Sequence, residues 1–174
     1  MRINRILVLI AALSLGMQGC SSTQVYGASE KVVQPSIQNR LLGHIEYSGN
    51  AEYLPRMLAT DSNSGSKAVF RYSYTVSYEA PGEHPLTIFN PLLIVGMPKG
   101  TDAVVVAGVL EIVKDGTLLK RYEKSVVLKK DKTVFSEGET LTEIRKKGLL
   151  LVRDQIDLQL IEDQQILAKQ LNTE

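Results

Sequence analysis

Tryptophan is absent from this sequence, cysteine occurs once, and phenylalanine and histidine are scarce, with 3 and 2 residues. Each shortage closes off a class of explanation. With Cys20 as the sole cysteine no intramolecular disulfide can form, so stability in an oxidising compartment must come from packing alone. His44 and His84 lie in different segments, without cysteine partners or a His-Glu-x-x-His spacing, and a metal site is not expected. Neither charge is in excess, with 20 Lys and Arg against 19 Asp and Glu. No basic stripe with interleaved aromatics appears, so nucleic acid is not an expected partner. There is no internal repeat and no long low-complexity tract.

Catalytic spacing is missing too. Gly96-Met-Pro-Lys99-Gly100-Thr101 superficially evokes a phosphate loop. The functional motif has four residues between its glycines and a Lys after the second, where it reaches the phosphates. Here the Lys comes first and Pro98 removes an amide donor, so Pro98–Asp102 reads as a turn. No Gly-x-Ser-x-Gly stretch supports a hydrolase elbow. Carboxylate pairs abound, but a sequence does not show which converge in a cleft. The chain is therefore expected not to be an enzyme: no catalytic or metal residue and no cofactor is assigned, and the ligand-binding residues are unknown.

What the chain does have begins at its N-terminus. Arg2 and Arg5 precede an apolar run from Ile6 to Met17, and after Gln18, Gly19 and Cys20 the sequence turns polar with Ser21-Ser-Thr-Gln. A positive start, a short apolar stretch and a small residue before the cut make an export signal. A spanning helix needs about 20 apolar residues, more than this run holds. With the only cysteine at the cleavage point, Met17-Gln18-Gly19-Cys20 resembles the bacterial lipoprotein signal. Gly19 and Cys20 match that family's pattern, while Met17 and Gln18 depart from its preference for Leu followed by a small residue. An ordinary secretory signal and an uncleaved membrane anchor are the competing readings.

The resemblance implies that residues 1–19 are a signal peptide and that Cys20 is lipidated and becomes the first mature residue. Such a cysteine carries a diacylglyceryl group and usually a third acyl chain such as palmitate, enough to hold a protein stably on its membrane. Ser21, where Asp would favour inner-membrane retention, implies the outer membrane of a Gram-negative envelope, on its periplasmic side. Removal of residues 1–19 leaves roughly 155 residues, enough for one domain with a real core. Its charge is close to neutral.

Along the mature chain, residues 20–30 are small and polar and read as a flexible tether, which at full extension reaches about 35 Å. Residues 31–174 read as a single α+β domain. Pro35–Leu42 and Ala51–Leu58 suit short helices, with Ile37, Leu41 and Leu42 at helical spacing and Pro55 arguing against continuity in the second. Asp61–Ser66 is a loop. Phe70, Tyr72, Tyr74, Val76 and Tyr78 alternate with Arg71, Ser73, Thr75, Ser77 and Glu79, which is period two with one aromatic face. That face is either the core beneath the C-terminal helix or a Tyr-lined surface for a glycan, an acyl chain or a peptide. Leu92–Val95 reads as a buried strand. Ala103–Val113 and a return strand from Leu118 flank Asp115-Gly116, a strong hairpin signal. Lys120, Arg121, Glu123 and Lys124 point to an edge strand protected by charge.

From Ser136 the period changes. Thr140-Leu-Thr-Glu143 fits a capping box. Leu149, Val152, Ile156, Leu160, Leu167 and Leu171 fall on one helical stripe, interrupted around Asp163. Unbroken, this helix is about 45 Å long, against about 33 Å for a ten-residue strand. It is expected to overhang the sheet or bend near Gly148, with its last turns free to dock a partner. Arg145-Lys-Lys147 reads as a solvated helix face or a contact to anionic headgroups. The expected architecture is an antiparallel meander of about four strands packed by a long C-terminal helix, with short N-terminal helices. The expected role is a non-enzymatic binding or assembly module, held on its membrane by lipid on Cys20 and working with an envelope protein partner. A carrier holding a hydrophobic ligand between sheet and helix is the alternative.

Overall fold

The computed structural model describes residues 23–27, 40–61, 68–79, 100–132 and 139–172. The signal stretch with Cys20, His84, the Leu92–Val95 strand and most of the Asp61–Ser66 loop lie outside these. Six strands are formed: β1 (Thr23–Tyr26), β2 (Leu41–Glu46), β3 (Leu58–Thr60), β4 (Ala68–Glu79), β5 (Gly100–Lys114) and β6 (Thr117–Lys132). One α-helix, α1 (Leu141–Asn172), follows them, and a single 3-10 turn at Ala51–Tyr53 separates β2 from β3. The class is α+β. The strands make one curled sheet in the order β1-β6-β5-β4-β2-β3.

At the centre of this sheet three of the expected strands pair antiparallel, β4 directly with β5 and β5 with β6. Period-two patterning in β4, β5 and β6 gives two long antiparallel ladders. Asp115 and Gly116 join β5 to β6 with φ of 50° and 79°, the left-handed pair that a tight hairpin turn requires.

The expected four antiparallel strands become six with mixed pairing. β2 runs parallel to both β4 and β3. Leu41 and Leu42, expected in a helix, belong to β2: Leu41 and Gly43 are buried while Leu42 and His44 are exposed, so period two prevails. So short an apolar pattern satisfies either period, and the unpaired edge of β4 supplies the partner that selects the strand. The second expected helix is reduced to the 3-10 turn, because Pro55 cannot continue it and Leu58 enters β3. Within the expected tether, Thr23–Tyr26 pairs with β6 from Val127 to Lys130. A β-favouring Val-Tyr pair lies beside an edge with open backbone donors. β6 is thus interior along that stretch and an edge only below it. The expected turn at Pro98–Asp102 yields to β5 from Gly100 onward.

Helix and sheet match in length. β5 and β6 have 15 and 16 residues, about 50 Å each, and α1 has 32 residues, about 48 Å. α1 is continuous from Leu141 to Asn172, and its last turns lie against the sheet, with Lys114 donating to the Gln170 carbonyl, where an overhang was expected. The capping box forms, with the Thr140 amide donating to Glu143 Oε2 at 2.6 Å and the Glu143 amide to Thr140 Oγ1 at 3.2 Å. The first of these bonds holds the Glu143 carboxyl below its ordinary range.

The core lies between α1 and the concave face. Val104, Val106, Leu110, Ile112, Val126 and Leu128 from the sheet meet Leu149, Val152, Ile156 and Leu160 from the helix, all nearly fully buried. Burying each such aliphatic side chain contributes about 1.5–3 kcal/mol. Two glycines set the spacing. A Cβ on Gly148 would meet Val106 Cγ2 at 2.7 Å, and one on Gly108 would meet Val152 Cγ1 at 2.5 Å. The helix runs along β5 and against β6, from Gly148 over Leu128 to Asp163 beside Lys120 and Gln170 beside Lys114.

Candidate functional site

Chemistry-bearing side chains gather at one seam, where residues 47–57 leave β2 and cross between β4 and α1. The seam starts from local turn chemistry. Asn50 caps the 3-10 turn by accepting from the Glu52 amide at 2.9 Å, and the Tyr47 hydroxyl donates to the Asn50 carbonyl at 2.9 Å. This fold-back brings Tyr47 to Tyr72 and Tyr74 of β4, with ring centroids 5.3 and 6.5 Å apart, and Tyr53 edge-on to Tyr74 at 6.2 Å. These are favourable aromatic separations. Burial raises the Tyr47 hydroxyl pKa, and that of Tyr72 further. The Tyr72 hydroxyl is buried without a hydrogen-bond partner.

The aromatic face of β4 therefore passes from core to surface along the strand. Phe70 and Tyr72 are core, Tyr74 and Val76 are half-buried, and Tyr78 is 52% exposed. Arg71, Ser73, Thr75 and Ser77 on the other face are exposed, as alternation requires.

Beside the rings lies a network of charge. Asp157 on α1 is fully buried and accepts from the Met57 amide at 3.0 Å and from Arg56 Nε at 3.2 Å. Arg56 Nη2 also donates to Asp154 Oδ1 at 3.0 Å, and Arg153 holds the same oxygen at 2.6 Å. Arg153 Nη1 donates to the Glu52 carbonyl at 2.7 Å, and Lys146 pairs with the Glu52 carboxylate at 2.9 Å. Burial pushes the Asp157 carboxyl above its ordinary range, against the lowering pull of Met57 and Arg56. Both Asp157 oxygens are committed to backbone or guanidinium donors. The arrangement clamps residues 47–57 onto the helix and presents no nucleophile paired with a base. Among the described residues no three His, Cys, Asp or Glu side chains are grouped to hold a metal ion, and exposed His44 stands alone on β2.

Beside this clamp α1 carries a shallow groove of about 310 Å³, lined by Glu143, Lys146, Lys147, Leu150, Leu151 and Asp154. Arg145, Lys146 and Lys147 are exposed, as a solvated helix face has it. Sequence reasoning did not single out Arg56, Asp154 or Asp157. One signal was there: Asp157 directly follows Ile156 at the margin of the apolar stripe, where a carboxylate that becomes buried needs a partner. Cys20, the assigned lipidation residue, lies outside the described residues.

No protein-family model matches the chain, and no similar curated protein was found. Among the described residues no helix is long and apolar enough to cross a membrane.

Proposed function

We propose that this chain is a bacterial lipoprotein, anchored through lipid on Cys20 to the periplasmic side of an outer membrane, where it acts as a non-enzymatic binding or assembly module of the envelope. The observation that carries the reading is the N-terminal pattern: Arg2 and Arg5, the short apolar run, and the sole cysteine behind Gly19. Its partner is an envelope protein.

The module is favoured over a carrier of hydrophobic ligand by the packing between sheet and helix. That space is filled by buried aliphatic side chains, and the backbone approaches so closely at Gly108 and Gly148 that even a Cβ meets its neighbours. Between these described side chains an acyl chain has no room.

Cys20→Ala tests the anchor. It removes the only lipidation site, so the protein is expected to stay as an uncleaved precursor and to take up no palmitate. Palmitate labelling of this variant at the wild-type level would refute the assignment.

A further inference from the structure

Resting on the lipoprotein reading above, we infer that the end of the domain bearing the start of β1 is a docking face for the phospholipid headgroup layer. The argument begins with chain length. Thr23 is already paired with Lys130 in the sheet, and only Ser21 and Ser22 separate it from Cys20. Three residues reach at most about 11 Å. A lipid on Cys20 therefore draws this end of the sheet, and no other, down to the bilayer surface.

The same end gathers side chains suited to that surface. Cross-strand register sets the end of β4, the start of β5, the end of β6 and β1 side by side: Tyr78 faces Val104, Val104 faces Leu128, and Leu128 faces Val25. Glu139, just before α1, accepts from the Thr23 hydroxyl and from Lys130, so the start of the helix shares this end. Val25, Tyr26, Tyr78 and Leu141, here at one end, are 37–52% exposed large apolar side chains. Tyrosines with an apolar body and polar tip favour the interface of a bilayer. Lys129, over the Tyr26 ring at 5.3 Å, and Arg145 are exposed cations at this end. Among the described carboxylates at this end, Asp102 is buried, Glu52 pairs with Lys146, Glu139 with Lys147, and Glu143 is held in the capping box. Lys129 and Arg145 are left to meet lipid phosphates. The β5–β6 hairpin points away from the membrane, about 50 Å off.

The test uses the full-length lipidated protein in vesicles of phosphatidylcholine and phosphatidylglycerol containing a headgroup-linked nitroxide. A fluorophore is placed through Leu141→Cys at the docking end or Thr117→Cys at the hairpin. Emission from position 141 is expected to be largely quenched and that from 117 untouched. The decisive protein carries a long Gly-Ser insert between Ser22 and Thr23. Position 141 is expected to stay quenched on this lengthened tether, and to lose its quenching when Lys129→Glu and Arg145→Glu are added. Loss of quenching from the insert alone would mean the tether merely held the domain close, and would overturn the docking face. Intact mass distinguishes the two failures. Protein without lipid on Cys20 sinks the lipoprotein reading, whereas lipidated protein unquenched at 141 sinks this inference alone.

Discussion

At the scale of single residues, contacts decide against propensity. Gly148 lies inside a helix, where alanine is ordinarily better by about 1 kcal/mol. Its missing side chain, however, is the space in which Val106 and Leu128 of the sheet sit. Val106 is β-branched and stiff and cannot swing aside, and overpacking of this kind costs about 1–3 kcal/mol. Gly148→Ala is therefore expected to lower stability by a net of about 1 kcal/mol, read as a lower denaturant midpoint; a raised midpoint would show that the interface has slack. Tyr122 and Asp163 make a second test. The Tyr122 hydroxyl donates to Asp163 at 2.8 Å, and with Lys120 it holds the Asp163 carboxyl below its ordinary range. A carboxyl lowered by folding adds stability above the ordinary Asp pKa, and that stability is lost as pH falls through the lowered value. Tyr122→Phe should cost about 1.5 kcal/mol near neutrality, and the gap to wild type should narrow in acid. Asp157 has the opposite sign: its raised pKa makes its contribution largest in acid, fading as pH rises through the raised value. Denaturant unfolding across the acid range checks the Tyr122 claim, and a gap constant with pH would remove Asp163 from the account.

At the scale of elements, α1 reaches further into the core than its sequence showed. The stripe pauses around Asp163, which made the last turns look like an overhang. Leu167 is nonetheless only 1% exposed, and Lys114 donates to the Gln170 carbonyl at 2.9 Å. The pause is itself a contact, since Asp163 bonds Tyr122 and pairs with Lys120 of β6 at 3.2 Å. Deleting residues 165–174 removes Leu167, and loss of one such buried side chain costs about 2–5 kcal/mol. Thermal unfolding of the shortened protein should show a markedly lower midpoint. An unchanged midpoint would restore the tail to a docking role. The helix looked too long because it was set against a ten-residue strand: Gly100–Asp102, which read as a turn, belongs to β5, and β6 continues to Lys132.

At the scale of the whole molecule, one core joins every large element. Residues from β2, β3, β4, β5, β6 and α1 fall in a single buried cluster. The seam of residues 47–57 closes the side of that core beside β4, through its rings and the Arg56–Asp157 pair. Among the described residues, the space between sheet and helix is taken up by these side chains. On the lipoprotein proposal, native mass spectrometry of the extracted protein is expected to find the polypeptide with its covalent lipid alone. A further lipid bound without a covalent link would return the carrier reading to the front.

The sequence by itself determined whatever depends on neighbours along the chain: the alternation from Phe70 to Tyr78, the Asp115-Gly116 hairpin, the capping box at Thr140 and the stripe of α1, all of which rest on local spacing. Short segments with weak patterns were decided by tertiary structure. Leu41–Glu46 is a strand because β4 offers it a parallel edge, and Thr23–Tyr26 is a strand because β6 offers an antiparallel one. The clamp on Asp157 was equally hidden, since Arg56 lies 101 residues away in the chain. Backbone donors at a sheet edge and a buried carboxylate both need partners, and which distant segment supplies them is settled only when the sheet closes over the helix.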